Sequence, residues 1–136
     1  MGFIEANLGD APEEKLPPEG NYDLTIRSHE TGTNKDGTRQ MVTVYMTIEG
    51  DEDYMGVMHW LVFPSKEDWE EDKEKATRML RSVNRFLALF NVPSGPNGFD
   101  DNDLDGSTAR ALVRPEKGDD GEERPRLIVP RMAAAA

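Results

Sequence analysis

Residues 20–62 read GNYDLTIRSHETGTNKDGTRQMVTVYMTIEGDEDYMGVMHWLV, a run of three sheet-like segments joined by two short polar breaks. From Asn21 to His29, Tyr22, Leu24 and Ile26 alternate with Asp23, Thr25 and Arg27, the period of a half-buried strand. Asn34-Lys35-Asp36-Gly37 supplies an Asp-Gly turn, and Thr38 to Glu49 follows, rich in β-branched and aromatic residues. Its alternation places Val42, Val44, Met46 and Ile48 on one face and Met41, Thr43, Tyr45 and Thr47 on the other. Gly50 to Asp53 makes a second turn, and Tyr54 to Val62 reads as a third strand in which Gly56 marks a bulge or sharp bend.

The rest of the chain closes this meander. Residues 1–19 read as a flexible arm, with Pro17-Pro18 at its end and Phe3 and Ile4 as docking anchors. After Phe63-Pro64, Ser65 and Asp68 fit a capping box, and a single helix is expected from Lys66 to Phe90. Ala76, Leu80, Val83, Leu87 and Phe90 form its apolar stripe, broadened by Met79 and Phe86. Acidic residues crowd its start and Arg78, Arg81 and Arg85 come later, the order that the helix dipole favours. Beyond the loop of residues 94–103, Thr108 to Arg114 and Glu123 to Pro130 read as a fourth and a fifth strand. Between them lies an acidic turn, Pro115 to Glu122. Pro125 and Pro130 suit an edge strand. The expected fold is therefore mainly β with one long helix, in the order β-β-β-α-β-β, which is the order of an OB-like five-stranded barrel. The domain should span residues 20–131, followed by a disordered tail over residues 132–136.

Composition narrows the function. The 136 residues make one domain, and the lack of cysteine removes disulfides, thiolate metal sites and a cysteine nucleophile, and fits a reducing cytoplasm. No apolar run approaches the roughly 20 residues of a membrane span, so a cytoplasmic protein is expected. A net charge of −11 argues against indiscriminate wrapping of nucleic acid but leaves room for a local basic groove.

The chemical motifs are few. Asp101-Asn102-Asp103-Leu104-Asp105-Gly106 opens like a calcium loop, but its twelfth position is Leu112 where a bidentate Glu is required, so a solvated acidic turn is expected. His29 and His59 have no neighbouring nucleophile in sequence, and no phosphate-binding or zinc-protease motif occurs. The expectation is a protein without catalysis, metal or cofactor.

The outer face of the sheet is more informative. Arg39, Met41, Thr43 and Tyr45 share it on the second strand, with Arg27 and His29 as counterparts on the first and Trp60 or His59 on the third. Bases of a single strand stack on such aromatics while arginines follow the phosphates. Arg110 and Arg114 extend the basic set, with Arg124, Arg126 and Arg131 on the last hairpin. Arg78, Arg81 and Arg85 read instead as solvated helix residues, with Glu74 a partner for Arg78.

Leu16-Pro17-Pro18-Glu19-Gly20-Asn21-Tyr22, Asn34-Lys35-Asp36-Gly37, Tyr54-Met55-Gly56 and Leu104-Asp105-Gly106 together resemble bacteriophage single-stranded-DNA-binding proteins of the OB-fold type. The resemblance spans Leu16 to Pro130 and implies protection of single-stranded DNA during phage replication or recombination, in the host cytoplasm. The expected partners are single-stranded DNA and phage replication or recombination proteins, and the expected assembly is a dimer or an array along the strand. After Pro130 the sequence reads Arg131-Met132 and alanines, so the resemblance does not extend to the acidic C-terminal tail that such proteins often use to recruit partners. The competing readings are an acidic interaction module or DNA mimic that docks on a basic protein, and a small enzyme with a carboxylate-bound metal near Asp100 to Asp105.

Overall fold

The computed structural model describes residues 2–11 and 13–130. Three long strands come first: β1 (Gly20–Thr33), β2 (Gln40–Ile48) and β3 (Val57–Val62). Two helices follow, α1 (Lys66–Glu71) and α2 (Lys73–Leu89), and then a small hairpin of β4 (Ser94–Gly95) and β5 (Gly98–Phe99). The chain ends in a long hairpin of β6 (Thr108–Lys117) and β7 (Glu123–Ile128). The five long strands pair in the cyclic order β1-β2-β3-β7-β6 and back to β1, so the sheet closes on itself.

One irregularity makes that closure possible. The first half of β1 pairs with β6 and its second half with β2, and the register with β2 shifts between Ile26 and Ser28, leaving Arg27 as an extra residue. A bulge of this kind bends a strand and increases its twist, which lets one strand serve two neighbours. The bulge expected at Gly56 therefore lies in β1. Gly56 has another reason to be glycine: a Cβ there would stand 3.2 Å from the Met46 carbonyl oxygen, so a side chain would require the two backbones to shift apart by a few tenths of an ångström. Gly37 does adopt the left-handed conformation expected of its turn, at φ 71°.

The seam between β3 and β7 is the weakest joint, a parallel contact with one registered pair, Met58 with Arg126. Pro125 faces Pro115 across the β6–β7 hairpin, and neither has an N–H to give the ladder. The open edge expected for the last strand is thus a thinly bonded seam instead. β6 also runs on to Lys117, which shortens the acidic turn to residues 118–122.

Leu24, Ile26, Val42, Val44, Met46, Ile48, Val57, Leu61, Val113 and Leu127 are buried inside the ring. Val83, Phe86, Leu87 and Phe90 from the α2 segment join the same cluster, as do Val92 and Leu104. His59 points inward from β3 and stacks on Phe86 at 4.8 Å between ring centroids. The helix is not continuous. Asp72 leaves helical geometry (φ −151°, ψ 85°), and its side chain accepts a hydrogen bond from the Lys75 N–H, so it caps α2. Ser65 and Asp68 form the expected capping box on α1.

The N-terminal arm is shorter than residues 1–19. Lys15 bridges to Tyr54, the Lys15 N–H donates to the Asp53 carbonyl, and Pro17 is fully buried. Residues 2–11 lie exposed, so the docking expected of Phe3 and Ile4 does not occur within the chain. The expected tail over residues 132–136, and Arg131, fall outside the described residues.

Candidate nucleic-acid interface

The outward residues of the ring line up across all five long strands. Ser28 pairs with Tyr45, Tyr45 with Met58, Met58 with Arg126, and Arg126 with Arg114. A neighbouring row joins Glu30, Thr43 and Trp60. Strand neighbours sit about 4.8 Å apart, so the longer row spans roughly 19 Å of surface. Met58 and Trp60 stand 38% and 39% exposed on this outer surface. The Arg126 guanidinium lies 5.4 Å from the Trp60 ring centre, a cation–π contact that presents the ring and the charge together. Beside them is a cleft of about 130 Å³, lined by Met55, Gly56, Met58, Trp60, Arg124 and Arg126 among others.

Tyr45 and Trp60 thus share one surface, and of the two β3 candidates Trp60 faces outward and His59 inward. Tyr45 donates its hydroxyl hydrogen bond to Glu30 (3.0 Å), and that acceptor raises the phenol's pKa. Arg114 joins through its register with Arg126. Arg110 lies further along β6, paired with Asp23 at 3.2 Å. Arg27, on the bulge, donates to Thr47 Oγ1 (2.9 Å) and Glu49 Oε1 (3.0 Å). Thr25 donates to the same Glu49 oxygen.

Arg39 is committed elsewhere. Its Nε and Nη2 donate to the two oxygens of Asp68, each at 2.8 Å, tying the turn before β2 to the cap of α1. The arginine, with the backbone N–H of Ser65 next, drives the Asp68 carboxyl far below the ordinary carboxylate range.

His29 departs from its expected place. The bulge at Arg27 advances the alternation by one residue, so His29 leaves the outer face and pairs in register with Val44. Its Nδ1 faces Asp105 (2.7 Å) and its Nε2 faces Asp101 (2.9 Å). Two of the carboxylates in the acidic turn are therefore spent on a histidine. Among the described residues no group of three or more His, Asp or Glu side chains is arranged to hold a metal ion.

Sequence alternation finds Tyr45 and Trp60 but not the row they belong to. Met58 shares the outward parity of Trp60, and this was the available signal for it. Arg126 enters through the parallel seam with β3, a contact between distant segments that no local pattern announces.

The electrostatics temper the picture. Arg114 pairs with Glu19 (3.3 Å), Arg124 with Asp120 (2.6 Å) and Arg126 with Glu116 (3.5 Å), all at exposed positions. Pairs of that kind contribute about 0–1 kcal/mol, so a phosphate can replace the carboxylate at small cost. No helix among the described residues is long and apolar enough to cross a membrane. The chain matches no protein-family model and no curated protein.

Proposed function

We propose that this protein is an OB-like barrel that binds single-stranded DNA with little sequence preference, without catalysis or cofactor. The observation that carries this reading is the row Tyr45–Met58–Arg126–Arg114 with Trp60 beside it, where stacking surface and cationic charge lie side by side across the sheet. The cyclic strand order, with the helices between β3 and β6 and β3 parallel to β7, agrees with that architecture. The resemblance seen in the sequence gives the reading its setting, phage DNA replication or recombination in the host cytoplasm, with phage proteins of those processes as partners.

The stacking residues are Tyr45 and Trp60, Met58 supplies apolar contact, and Arg114, Arg124 and Arg126 neutralise phosphates. Arg27 and Arg110 form an outer rim. Fluorescence anisotropy of a labelled oligo-dT of ~30 nucleotides, beside a duplex control, tests the reading. Saturable, salt-sensitive binding of the single strand alone is expected. Trp60→Ala should weaken it by about 1–3 kcal/mol, roughly 5- to 150-fold, with a smaller loss for Tyr45→Ala. Unchanged affinity in a folded Tyr45→Ala/Trp60→Ala protein would remove this face from consideration.

A second reading is favoured by the ion pairs themselves. The arginines of the face each have a carboxylate partner, and the net charge is −11, as in an acidic module that docks on a basic protein. Such a module would bind no oligonucleotide at low salt.

A further inference from the structure

The second half of β1 has an edge without a neighbour. The Phe63 N–H donates to the Gln40 carbonyl, so Gln40 turns its backbone toward β3 and Met41 turns its own toward β1. Gly32 faces Met41 in register and Thr33 faces Gln40, so Gly32 bonds β2 and Thr33 does not. The Asn34 N–H, which donates to the Arg39 carbonyl, keeps the same alternation. The backbone N–H and C=O groups of His29, Thr31 and Thr33 therefore point away from β2. On that side the ladder with β6 ends at Thr25, and Gly106 and Ser107 serve Ile26 as the last partners. Among the described residues no backbone partner meets His29, Thr31 or Thr33 there. Residues 28–33 thus offer about 20 Å of open strand. Sheet edges are usually blocked by Lys, Pro or a bulge. Beyond the bulge at Arg27 this one reads Ser-His-Glu-Thr-Gly-Thr, and Glu30 to Thr33 are exposed.

The two faces of the edge differ. Thr31 shares the inward parity of Val42 and lines a groove of about 670 Å³ between the β1–β2 end, α2 and the β4–β5 hairpin. Met41, Phe63, Leu80, Leu87 and Phe99 are among its walls, and its one charged residue is Asp101. Glu30 stands on the outer face, beside Tyr45. The loop that meets the edge at His29 carries Asp100, Asp101, Asp103 and Asp105, and His29 can offset one of those charges. Lys35, next to Asp36, is the one lysine or arginine from Ser28 to Thr38. Charge thus selects the occupant. The N-terminal arm brings Glu5, Asp10, Glu13 and Glu14, and a second copy brings Glu30 and the same loop, so both meet like charge. A strand with Lys or Arg beside Glu30 and apolar side chains on the alternate face satisfies both sides.

We infer that residues 28–33 of β1 receive an extended segment of a partner protein as an added strand, bonded to the backbone of His29, Thr31 and Thr33, with its basic residues on the outer face and its apolar residues turned to the α2 groove. The inference goes beyond DNA binding, uses none of the arginines of the candidate interface, and is tested without DNA.

Amide hydrogen exchange in the free protein should be faster at His29, Thr31 and Thr33 than at Glu30 and Gly32, which bond β2. The probe is a labelled, end-blocked peptide of alternating lysine and valine, about eight residues long, the open edge with one residue to spare at each end. It should bind saturably by fluorescence anisotropy and slow exchange at the three open amides. The same peptide methylated on every backbone nitrogen keeps its charge and side chains but has no N–H to give, and should bind more than about tenfold more weakly. Thr31→Pro removes an N–H that the β2 ladder does not use, and should weaken the parent peptide to a similar degree. Glu30→Lys, an exposed change that leaves the core untouched, should weaken it severalfold. Slow exchange at the three amides in the free protein, as a covering arm or a paired copy would give, overturns the inference. So does a methylated peptide that binds as well as its parent, since the contact would then be charge alone, or a lysine–valine peptide that does not bind.

Discussion

His29 and His59 flank Val44 in register from β1 and β3, yet their surroundings push them in opposite directions. Hydrogen bonding to Asp105 first, and then to Asp101, raises His29 above its ordinary 6.5, against a lesser opposition from burial. Both ring nitrogens face carboxylates, and only the imidazolium has an N–H for each. Burial, helped by the charge of Arg126, lowers His59 to about 4. The signs follow from linkage. The His29 contribution is full below pH 6.5 and is lost as pH rises through its raised folded value. The His59 contribution is present above pH 6.5 and is lost as pH falls from there toward about 4. Melting temperatures taken from pH 4 to 9 should show both limbs. His29→Gln should flatten the alkaline one, worth about 1 kcal/mol because Asp101 and Asp105 are half exposed. His59→Leu should flatten the part of the acid limb between 6.5 and 4. Variants with the wild-type profile would show that neither environment acts as described.

At the scale of elements, the Arg39–Asp68 fork decides how α1 sits. Asp68 serves two masters: it accepts from the Ser65 backbone N–H in the capping box and from the Nε and Nη2 of Arg39. Its side chain is 12% exposed, so removing the arginine leaves a charge with little water to replace it. Arg39→Ala should therefore lower the midpoint of urea unfolding. In a double-mutant cycle it should couple strongly to Asp68→Ala, while oligo-dT affinity stays within about twofold. A large loss of DNA affinity in folded Arg39→Ala would return this residue to the interface. The strands were legible because alternation is local: Leu24, Val42 to Ile48 and Ala111 to Val113 each announce one buried face within a few residues. The Ser65 cap was legible for the same reason. The bulge at Arg27 was not, since it answers the demand that β1 pair with both β2 and β6, and an arginine carries no mark of that. Asp72 hid its capping role inside an acidic run, so one long helix was expected where the chain makes two. The candidate surface was readable as far as Tyr45 and Trp60. Its completion by Arg126 depends on a parallel seam between segments more than 60 residues apart, where only the folded ring makes the contact.

For the whole molecule, the proposed DNA binding raises the question of how a chain of net charge −11 would approach a polyanion. Long-range repulsion opposes encounter, and the cations of the face are each shared with a carboxylate, so on the proposed reading a bound strand would be held by stacking more than by counterion release. That balance has a measurable signature. If Arg114, Arg124 and Arg126 each take one phosphate, log K should fall with log salt at a slope of about −2, from ~0.7 per contact on single strands. Exchange of each arginine from carboxylate to phosphate makes the observed slope shallower still, because salt weakens the competing ion pair as well. Glu116→Gln frees Arg126 from its partner at 3.5 Å without touching the stacking residues. It should strengthen oligo-dT binding severalfold at low salt and steepen the slope, while Trp60→Ala lowers affinity and leaves the slope nearly unchanged. A steep slope in the wild type, with no response to Trp60→Ala, would mean that phosphates alone hold the strand and that the aromatic row is only the outside of a barrel.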